Sequence, residues 1–179
     1  MLSNRPSAGA LQLAAERGVP ARALPVSGFG GDVRARDAAM LAALIEAGVR
    51  LVVCAGYDRV VDDALIAAFE GAMLNVHPSL LPAFGGGMHA VEDALAAGVR
   101  VTGCTVHLLE TGAVDGGAIV LQEAVAVAED DDVATLRERI HRAEWRIVTE
   151  AVRLWCEGRL RREGSRLRIL PAAAGAEAG

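Results

Sequence analysis

The sequence predicts one α/β domain, and three observations support this. Segments with apolar residues at helical spacing alternate with short runs of branched apolar residues, which is the pattern of a sheet covered by helices. The run at 51–54 is continuously apolar, as expected of a strand buried on both faces. The chain has 179 residues, the usual size of one domain with its own core. We therefore expect a single domain over 1–170 and a disordered tail over 171–179.

Each predicted helix has residues that explain where it begins or ends. Pro6 suits the first turn of the first helix, and Gly18 and Gly48 follow the last periodic residues of the first two. The fifth helix carries an apolar stripe that includes Val133, Leu136 and Ile140. The predicted helices are 7–17, 33–47, 62–69, 88–97 and 132–157.

The predicted strands are short, and the later ones are consecutive. Two of them flank the glycine-containing segment 111–117, so we expect an antiparallel or looped pair at one side of the sheet. A small hairpin with Gly164 in its turn closes the domain. The predicted strands are an edge strand at 23–27, then 51–54, 73–76, 99–110 and 118–127, with the hairpin at 159–170.

Composition and charge exclude several classes of protein. The net charge of −5 argues against a broad nucleic-acid surface. No apolar run approaches the roughly 20 residues of a membrane span, and the amino terminus lacks the features of a secretory signal, so we expect a cytoplasmic protein. The 3 cysteines are far apart with no C-x-x-C spacing, which predicts neither a disulfide framework nor a metal site.

The segment "LNVHPSLLP" places an amide and an imidazole where a strand ends. Asn75 and His77 are two residues apart, so their side chains project on the same side of an extended segment. Ligands of open α/β sheets bind beyond the carboxyl ends of strands. An amide can donate to a developing oxyanion while an imidazole moves a proton, which suits acyl-group chemistry. The alternative is that Asn75 caps a turn and His77 is a surface histidine.

Two carboxylates could complete such a site. Asp115 lies before two glycines in the loop 111–117, where it could orient an imidazole or serve only as a turn residue. Glu144 falls on the apolar stripe of the fifth helix, which makes it a candidate ligand contact. The alternative for Glu144 is an ion pair with Arg137 or Arg142.

The remaining histidines have simpler interpretations. His107 lies within an apolar strand, so it is interpreted as a packed histidine and not as a catalyst. His89 and His141 are interpreted as surface residues.

Three motifs in order, "LNVHPSLLP", "GVRVTGCTVHLLE" and "VDGGAIVLQEAV", resemble the phosphoribosylglycinamide formyltransferases of purine biosynthesis. The resemblance runs from about residue 2 to residue 170. It implies a Rossmann-like formyltransferase fold, with a mostly parallel sheet and helices on both faces, in which the first strand is missing. The implied activity is transfer of formyl from 10-formyltetrahydrofolate to the amine of glycinamide ribonucleotide.

The resemblance also implies roles for particular residues. Asn75 would hold the formyl oxygen and contact the cofactor, His77 would be the general acid and proton shuttle, and Asp115 would support His77 and order a water. The implied partners are the two small molecules, without a metal, nucleic acid or membrane. The pterin pocket would be lined by Asp58, Arg59, Val60 and Val61, and the nucleotide would be contacted by Pro78 and Glu144.

Among the departures of the sequence from the family pattern, two bear most on the fold and the site. The family begins with a strand and a Gly-Ser-Asn phosphate loop that are not matched here, and that strand lies inside the sheet. Its neighbours would then have unpaired backbone groups and an exposed apolar edge. The loop between His107 and Asp115 is one residue longer than the pattern.

Two other functions remain open from the sequence. Formyltetrahydrofolate deformylases use a similar scaffold to hydrolyse the formyl group, although "HPSLLP" favours the transferase because deformylases usually have a second histidine after the first. A catalytically inactive folate-binding or interaction protein is the alternative from a different class.

Overall fold

The computed structural model describes residues 1–172, and it confirms the α/β class. The segment 173–179 lies outside the described residues, and with it most of the predicted tail. The helices are α1 Gly9–Glu16, α2 Val33–Glu46, α3 Asp63–Ala68, α4 Ala90–Ala96 and α5 Val133–Cys156. The strands are β1 Leu2–Ser3, β2 Arg22–Ala23, β3 Val52–Cys54, β4 Met73–His77, β5 Val101–Leu108, β6 Ile119–Ala126, β7 Leu160–Glu163 and β8 Arg166–Ile169.

The strands form a mixed arrangement in three sheets, where the sequence led us to expect mostly parallel pairing. The 4-stranded sheet has the order β3-β4-β5-β6, with β3 and β4 parallel and the other neighbours antiparallel. β1 and β2 form a separate parallel pair, and β7 and β8 form the predicted hairpin. The antiparallel pair predicted around 111–117 is confirmed, because so short a connection cannot make a parallel crossover.

The amino-terminal elements differ most from the prediction. The chain starts with the strand β1, before the first helix, and a two-residue strand is too short to leave a periodic pattern. The predicted edge strand 23–27 is reduced to β2, because Pro25 lacks a backbone N–H and leads into a 3-10 helix at Val26–Phe29.

Helices α2, α3 and α5 begin after aspartates whose side chains accept from free backbone N–H groups of the first turn. Asp132 accepts from the Thr135 backbone N–H while the Thr135 hydroxyl accepts from Asp132, which forms a capping box at the start of α5. Asp32 and Asp62 cap α2 and α3 in the same way. Among residues 1–172, no helix combines the length and the apolar character needed to cross a membrane.

Helices cover both faces of the 4-stranded sheet, as expected. Consecutive strand residues point to opposite faces, and β4 shows the result. Leu74 packs in a core cluster with α4 and α5, whereas its neighbour Met73 packs in a second cluster with α2 and α3. The carboxyl end of β4 is therefore accessible to side chains from both layers.

Candidate active site

The register between β4 and β5 places Asn75 directly opposite His107. Cross-strand partners in an antiparallel pair lie close enough for their side chains to bond. Asn75 Nδ2 lies 3.1 Å from His107 Nε2. His107, interpreted from sequence as a packed histidine, is fully buried and also holds the amide of a predicted site residue. Sequence analysis missed this role because register is a property of strand pairing.

The contact of the second ring nitrogen of His107 determines which of the two nitrogens carries the proton. Its Nδ1 lies 3.0 Å from the carbonyl oxygen of Leu108, which can only accept a hydrogen bond. Burial lowers the pKa of His107, so the ring is neutral and its Nε2 is an acceptor. Asn75 therefore donates one of its two amide hydrogens to His107, and the other remains for a ligand.

His77 lies between two oxygen acceptors. Its Nε2 is 3.0 Å from the Phe84 carbonyl oxygen, and its Nδ1 is 3.4 Å from Asp115 Oδ2. A neutral imidazole has one N–H and can donate to only one of them, whereas the imidazolium donates to both. His77 can therefore donate a hydrogen bond to Asp115 or to the Phe84 carbonyl.

Asp115 reaches His77 although its loop is one residue longer than the family pattern. The Gly86 backbone N–H donates to Asp115 Oδ2 over 2.8 Å. The loop lies against β5 at Gly117, where an added Cβ would be 1.9 Å from the Leu108 carbonyl oxygen. The glycine is therefore required for this close approach.

Backbone strain is concentrated around His77. Among residues 1–172, the non-glycine residues with positive φ are Phe84, at 55°, and Asp115, at 51°. This left-handed region is unusual for a residue as bulky as phenylalanine. Both residues contact His77, and strained backbone is often retained at functional sites.

One cavity of about 810 Å³ contains all of the predicted site residues on its walls. This volume falls in the range of small-molecule sites, roughly 300–1,000 Å³. Its lining includes the nine predicted residues Asp58, Arg59, Val60, Val61, Asn75, His77, Pro78, Asp115 and Glu144.

The turn that carries the predicted pterin-binding residues is anchored at Asp58. Asn4 Nδ2 donates to Asp58 Oδ1 over 2.9 Å, and Arg5 forms an ion pair with the same carboxylate. These contacts, the bond from Asn4 first, lower the pKa of Asp58. Val61 packs in the core, while Arg59 and Val60 remain exposed in the cavity.

Three exposed apolar side chains line the cavity from three different loops. Val60, Met88 and Val114 are 74%, 67% and 64% exposed. Sequence analysis identified only Val60, and only through the resemblance. A flat apolar ligand would cover all three side chains.

Glu144 faces the cavity without the ion pairs considered from sequence. Arg137 pairs with Glu92, and Arg142 pairs with Glu138. The Glu144 side chain is 13% exposed, and its carboxylate lies 3.9 Å from His141 Nε2. Burial raises the pKa of Glu144 to about 7.

Comparison with known proteins matches residues 1–152 to the formyl transferase family. The chain belongs to this family. It is 44% identical over 146 residues to a phosphoribosylglycinamide formyltransferase of Mycobacterium tuberculosis, covering 80% of this chain and 65% of that protein. It is 40% identical over 158 residues to the human trifunctional purine biosynthetic protein adenosine-3, covering 88% of this chain and 15% of the relative. The chain thus spans less than two thirds of these relatives.

A solved formyl transferase has the same fold. The crystal structure of glycinamide ribonucleotide transformylase 1 from Symbiobacterium toebii matches with a TM-score of 0.91 and 47% identity. The match covers 95% of this chain and 79% of that chain. It confirms the expected Rossmann-like formyltransferase fold.

Proposed function

We propose that this formyl transferase moves a formyl group from 10-formyltetrahydrofolate to the amine of glycinamide ribonucleotide. The observation that carries the proposal is the convergence of Asn75, His77 and Asp115 on one cavity. The substrates are those suggested by the names of its relatives in purine biosynthesis. We expect the reaction to take place in the cytoplasm, with small molecules as partners.

The amide of Asn75 would stabilise the formyl oxygen as negative charge develops on it. One Nδ2 hydrogen is committed to His107, which fixes the orientation of the amide before a ligand arrives. The second hydrogen can then donate to the oxyanion without reorganisation, which is how such donors lower a barrier.

His77 would supply the proton that the leaving nitrogen needs. Asp115 and the Phe84 carbonyl hold the ring of His77 in place. After the proton leaves, Asp115 remains hydrogen-bonded to Gly86 and can accept a proton from the attacking amine through a water. Asp115 would thus act both as a positioning group for His77 and as an anchor for the water.

The cavity fits the expected co-substrate. The exposed apolar side chains of Val60, Met88 and Val114 would pack against its rings, and backbone groups of the turn 58–61 would bind the polar edge. The bound co-substrate supplies an activated formyl group. We assign contact with it to Asp58, Arg59, Val60, Val61 and Asn75.

The amine substrate would bind on the α5 side of the cavity. Pro78 and Glu144 line this side, and the Glu144 carboxylate would accept hydrogen bonds from the nucleotide. Because its pKa is about 7, Glu144 accepts most strongly above neutral pH.

Formyl transfer with an isotope-labelled formyl group tests the proposal. Purified protein receives labelled 10-formyltetrahydrofolate with and without glycinamide ribonucleotide, and labelled product is separated from free formate. Label in the nucleotide supports the transferase. Free formate in the absence of nucleotide would instead identify a deformylase, and folate binding without turnover would identify an inactive binding protein.

A further inference from the structure

One row of side chains crosses three strands of the 4-stranded sheet and ends at His77. The register pairs His77 on β4 with Thr105 on β5, and it pairs Thr105 with Gln122 on β6. Side chains of directly paired residues project from the same face of a sheet. Thr105 and Gln122 therefore lie in line with the proposed proton donor, although both are outside the lining of the catalytic cavity.

The segment 79–84, which follows β4, is attached to this face through Thr105. The Leu81 backbone N–H donates to Thr105 Oγ1 over 3.0 Å, and the Thr105 hydroxyl donates to the Ser79 carbonyl over 2.7 Å. The Ser79 hydroxyl in turn donates to the Ala83 carbonyl over 2.5 Å, which closes the segment on itself. Thr105 is fully buried, so water cannot replace its bonds.

Gln122 adds to the same attachment from the neighbouring strand. Its Nε2 lies 3.0 Å from the Leu81 carbonyl oxygen and 2.9 Å from Thr105 Oγ1. A carbonyl oxygen can only accept, so the atom that faces it is the amide nitrogen, which has two hydrogens to donate. The Thr105 hydroxyl gives its own hydrogen to Ser79, so it accepts from both Leu81 and Gln122. Every donor at this attachment thus meets an acceptor.

The attached segment ends at the groups that hold the ring of His77. The Phe84 carbonyl oxygen lies 3.0 Å from His77 Nε2, and two residues later the Gly86 backbone N–H donates to Asp115 Oδ2. The φ angle of Phe84 is 55°, and such a backbone conformation persists only where surrounding contacts hold it. The bonds to Thr105 are contacts of this kind.

We propose that Thr105 and Gln122 are positioning residues for His77. They fix segment 79–84 on the sheet, and the segment holds the Phe84 carbonyl against His77 Nε2. The imidazole is therefore kept in one orientation before a ligand binds, which a proton transfer requires. Their role rests on the proposed function, because it serves the proton transfer assigned to His77.

Gln122 allows a test that leaves the core intact. It occupies an exposed position of β6, so its replacement opens no cavity. Gln122→Met keeps the length of the side chain and removes the donor. It should lower kcat about fivefold, the factor expected for losing one hydrogen bond of ordinary strength, while KM for both substrates changes less.

Thr105 has a matched control on the same strand. Thr102 is buried as well, but its hydroxyl has no hydrogen-bond partner among the described residues. Thr105→Val should lower kcat at least about tenfold, because it removes the whole attachment and leaves the buried Leu81 N–H without an acceptor. Thr102→Val makes the same change of atoms and should retain the parent kcat. Thr105→Ser keeps the hydroxyl and should retain most of the activity.

Deuterium exchange measured by mass spectrometry follows the attachment without any substrate. The backbone amide of Leu81 and the ring Cε1–H of His77 should exchange faster in Gln122→Met and in Thr105→Val. The expected factor is about five to ten, since losing a hydrogen bond raises the population of the opened segment by that amount.

Internal controls show whether the change is local to the attachment. The Leu109 amide donates to the Met73 carbonyl over 2.9 Å, and His141 lies on α5. Exchange at the Leu109 amide and at the His141 ring should be the same in every variant. Thr102→Val should leave the exchange of the attached segment unchanged.

Several outcomes would overturn the inference. Parent-like kcat in both Thr105→Val and Gln122→Met is one, equal losses in Thr105→Val and Thr102→Val are another, and a loss confined to KM is a third. Gln122→Met carries the test by itself if Thr105→Val does not fold. Faster exchange at His77 in a protein that transfers no formyl would contradict only the proposed function. Formyl transfer with unchanged exchange at His77 in both variants would contradict only the positioning role.

Discussion

The part of the chain that carries the proposed catalytic groups (the catalytic part, residues 73–156) differs from the amino-terminal part (residues 1–50) in how its backbone N–H and C=O groups are paired. In the catalytic part, β5 is paired on both sides and buried along nearly its whole length. In the amino-terminal part, β1 and β2 have 2 residues each and, within residues 1–172, pair only with each other. The buried side chains of α2 are the charged Arg36 and Asp37, whereas those of α5 are all apolar.

This difference explains where the proposed catalytic groups lie. Asn75 and His77 extend from a strand whose neighbours are fixed by hydrogen bonds, so their positions are set before a ligand binds. In the amino-terminal part, the buried carboxylate of Asp37 is held by an ion pair with its neighbour Arg36. The proposed catalytic groups thus extend from the more extensively paired part of the domain.

The largest effect is expected at His77. His77→Ala should reduce kcat about 10²- to 10⁴-fold, because it removes the proposed proton donor. Circular dichroism should show that the fold is retained. His89→Ala, at an exposed position outside the cavity lining, is the control and should retain activity. A wild-type rate for His77→Ala would remove His77 from the mechanism.

The comparison of the two parts can be tested directly by truncating one leucine in each. Leu136→Ala in α5 removes a fully buried side chain and should lower the free energy of unfolding by about 2–5 kcal/mol. Leu2→Ala in β1 removes a half-buried one and should cost less than about 1 kcal/mol. Urea unfolding measures both, and equal losses would show that the two parts are packed alike.

Substitutions of Asn75 distinguish an effect on catalysis from an effect on substrate binding. Asn75→Ala should raise the barrier by about 3 kcal/mol, seen as a fall in kcat, because its donor acts on charge that develops in the transition state. Asn75→Asp keeps the shape but removes the donor, and should lose a similar amount. A change confined to KM would contradict the proposed role.

Glu144 should make stability depend on pH. Its pKa is about 7 in the native state, against an ordinary value of 4.5, so the native state retains the proton from about pH 4.5 to pH 7 while the unfolded state releases it. The free energy of unfolding should therefore fall as pH rises through this range. Glu144→Gln should remove the loss and stabilise the protein at pH 8 by up to about 3 kcal/mol.

Matched measurements show whether this effect belongs to Glu144. At pH 4 the Glu144→Gln variant and the parent protein should be equally stable. Glu138→Gln changes an exposed residue of the same helix and should show no such pH dependence. In the activity assay, Glu144→Gln should raise KM for the amine substrate. Equal stability of the parent protein and Glu144→Gln at pH 8 would contradict the conclusion that burial raises the pKa of Glu144.

The smallest expected effect comes from the loop that carries Asp115. Gly117→Ala forces a Cβ against the Leu108 carbonyl and should cost about 1–3 kcal/mol of stability while moving Asp115 away from His77. Gly116→Ala is the control, because its added Cβ would be 3.1 Å from the Ala113 Cβ and can be relieved by a small shift. Equal activity of the two variants would show that Gly117 does not position Asp115.

Much of the fold could be predicted from the sequence where local signals are strong. The predicted helix 132–157 matches α5 to within one residue at each end, because Asp132 caps it and its apolar residues repeat every three or four positions. The strands β1 and β2 were missed or misplaced, because 2 residues are too few for a period. The contact between Asn75 and His107 could not be predicted, because the residues are far apart in sequence and meet only through strand register.

The sequence by itself determined the residue types: an amide and an imidazole two positions apart, an aspartate before two glycines, and an acid on an apolar helix face. These are local patterns, and local sterics and hydrophobic burial suffice to place them on a strand end, a loop and a helix. Only the tertiary structure decided that they share one cavity and that His107 orients Asn75. Such relations depend on which distant strands pair and how loops pack, and short-range propensities do not encode them.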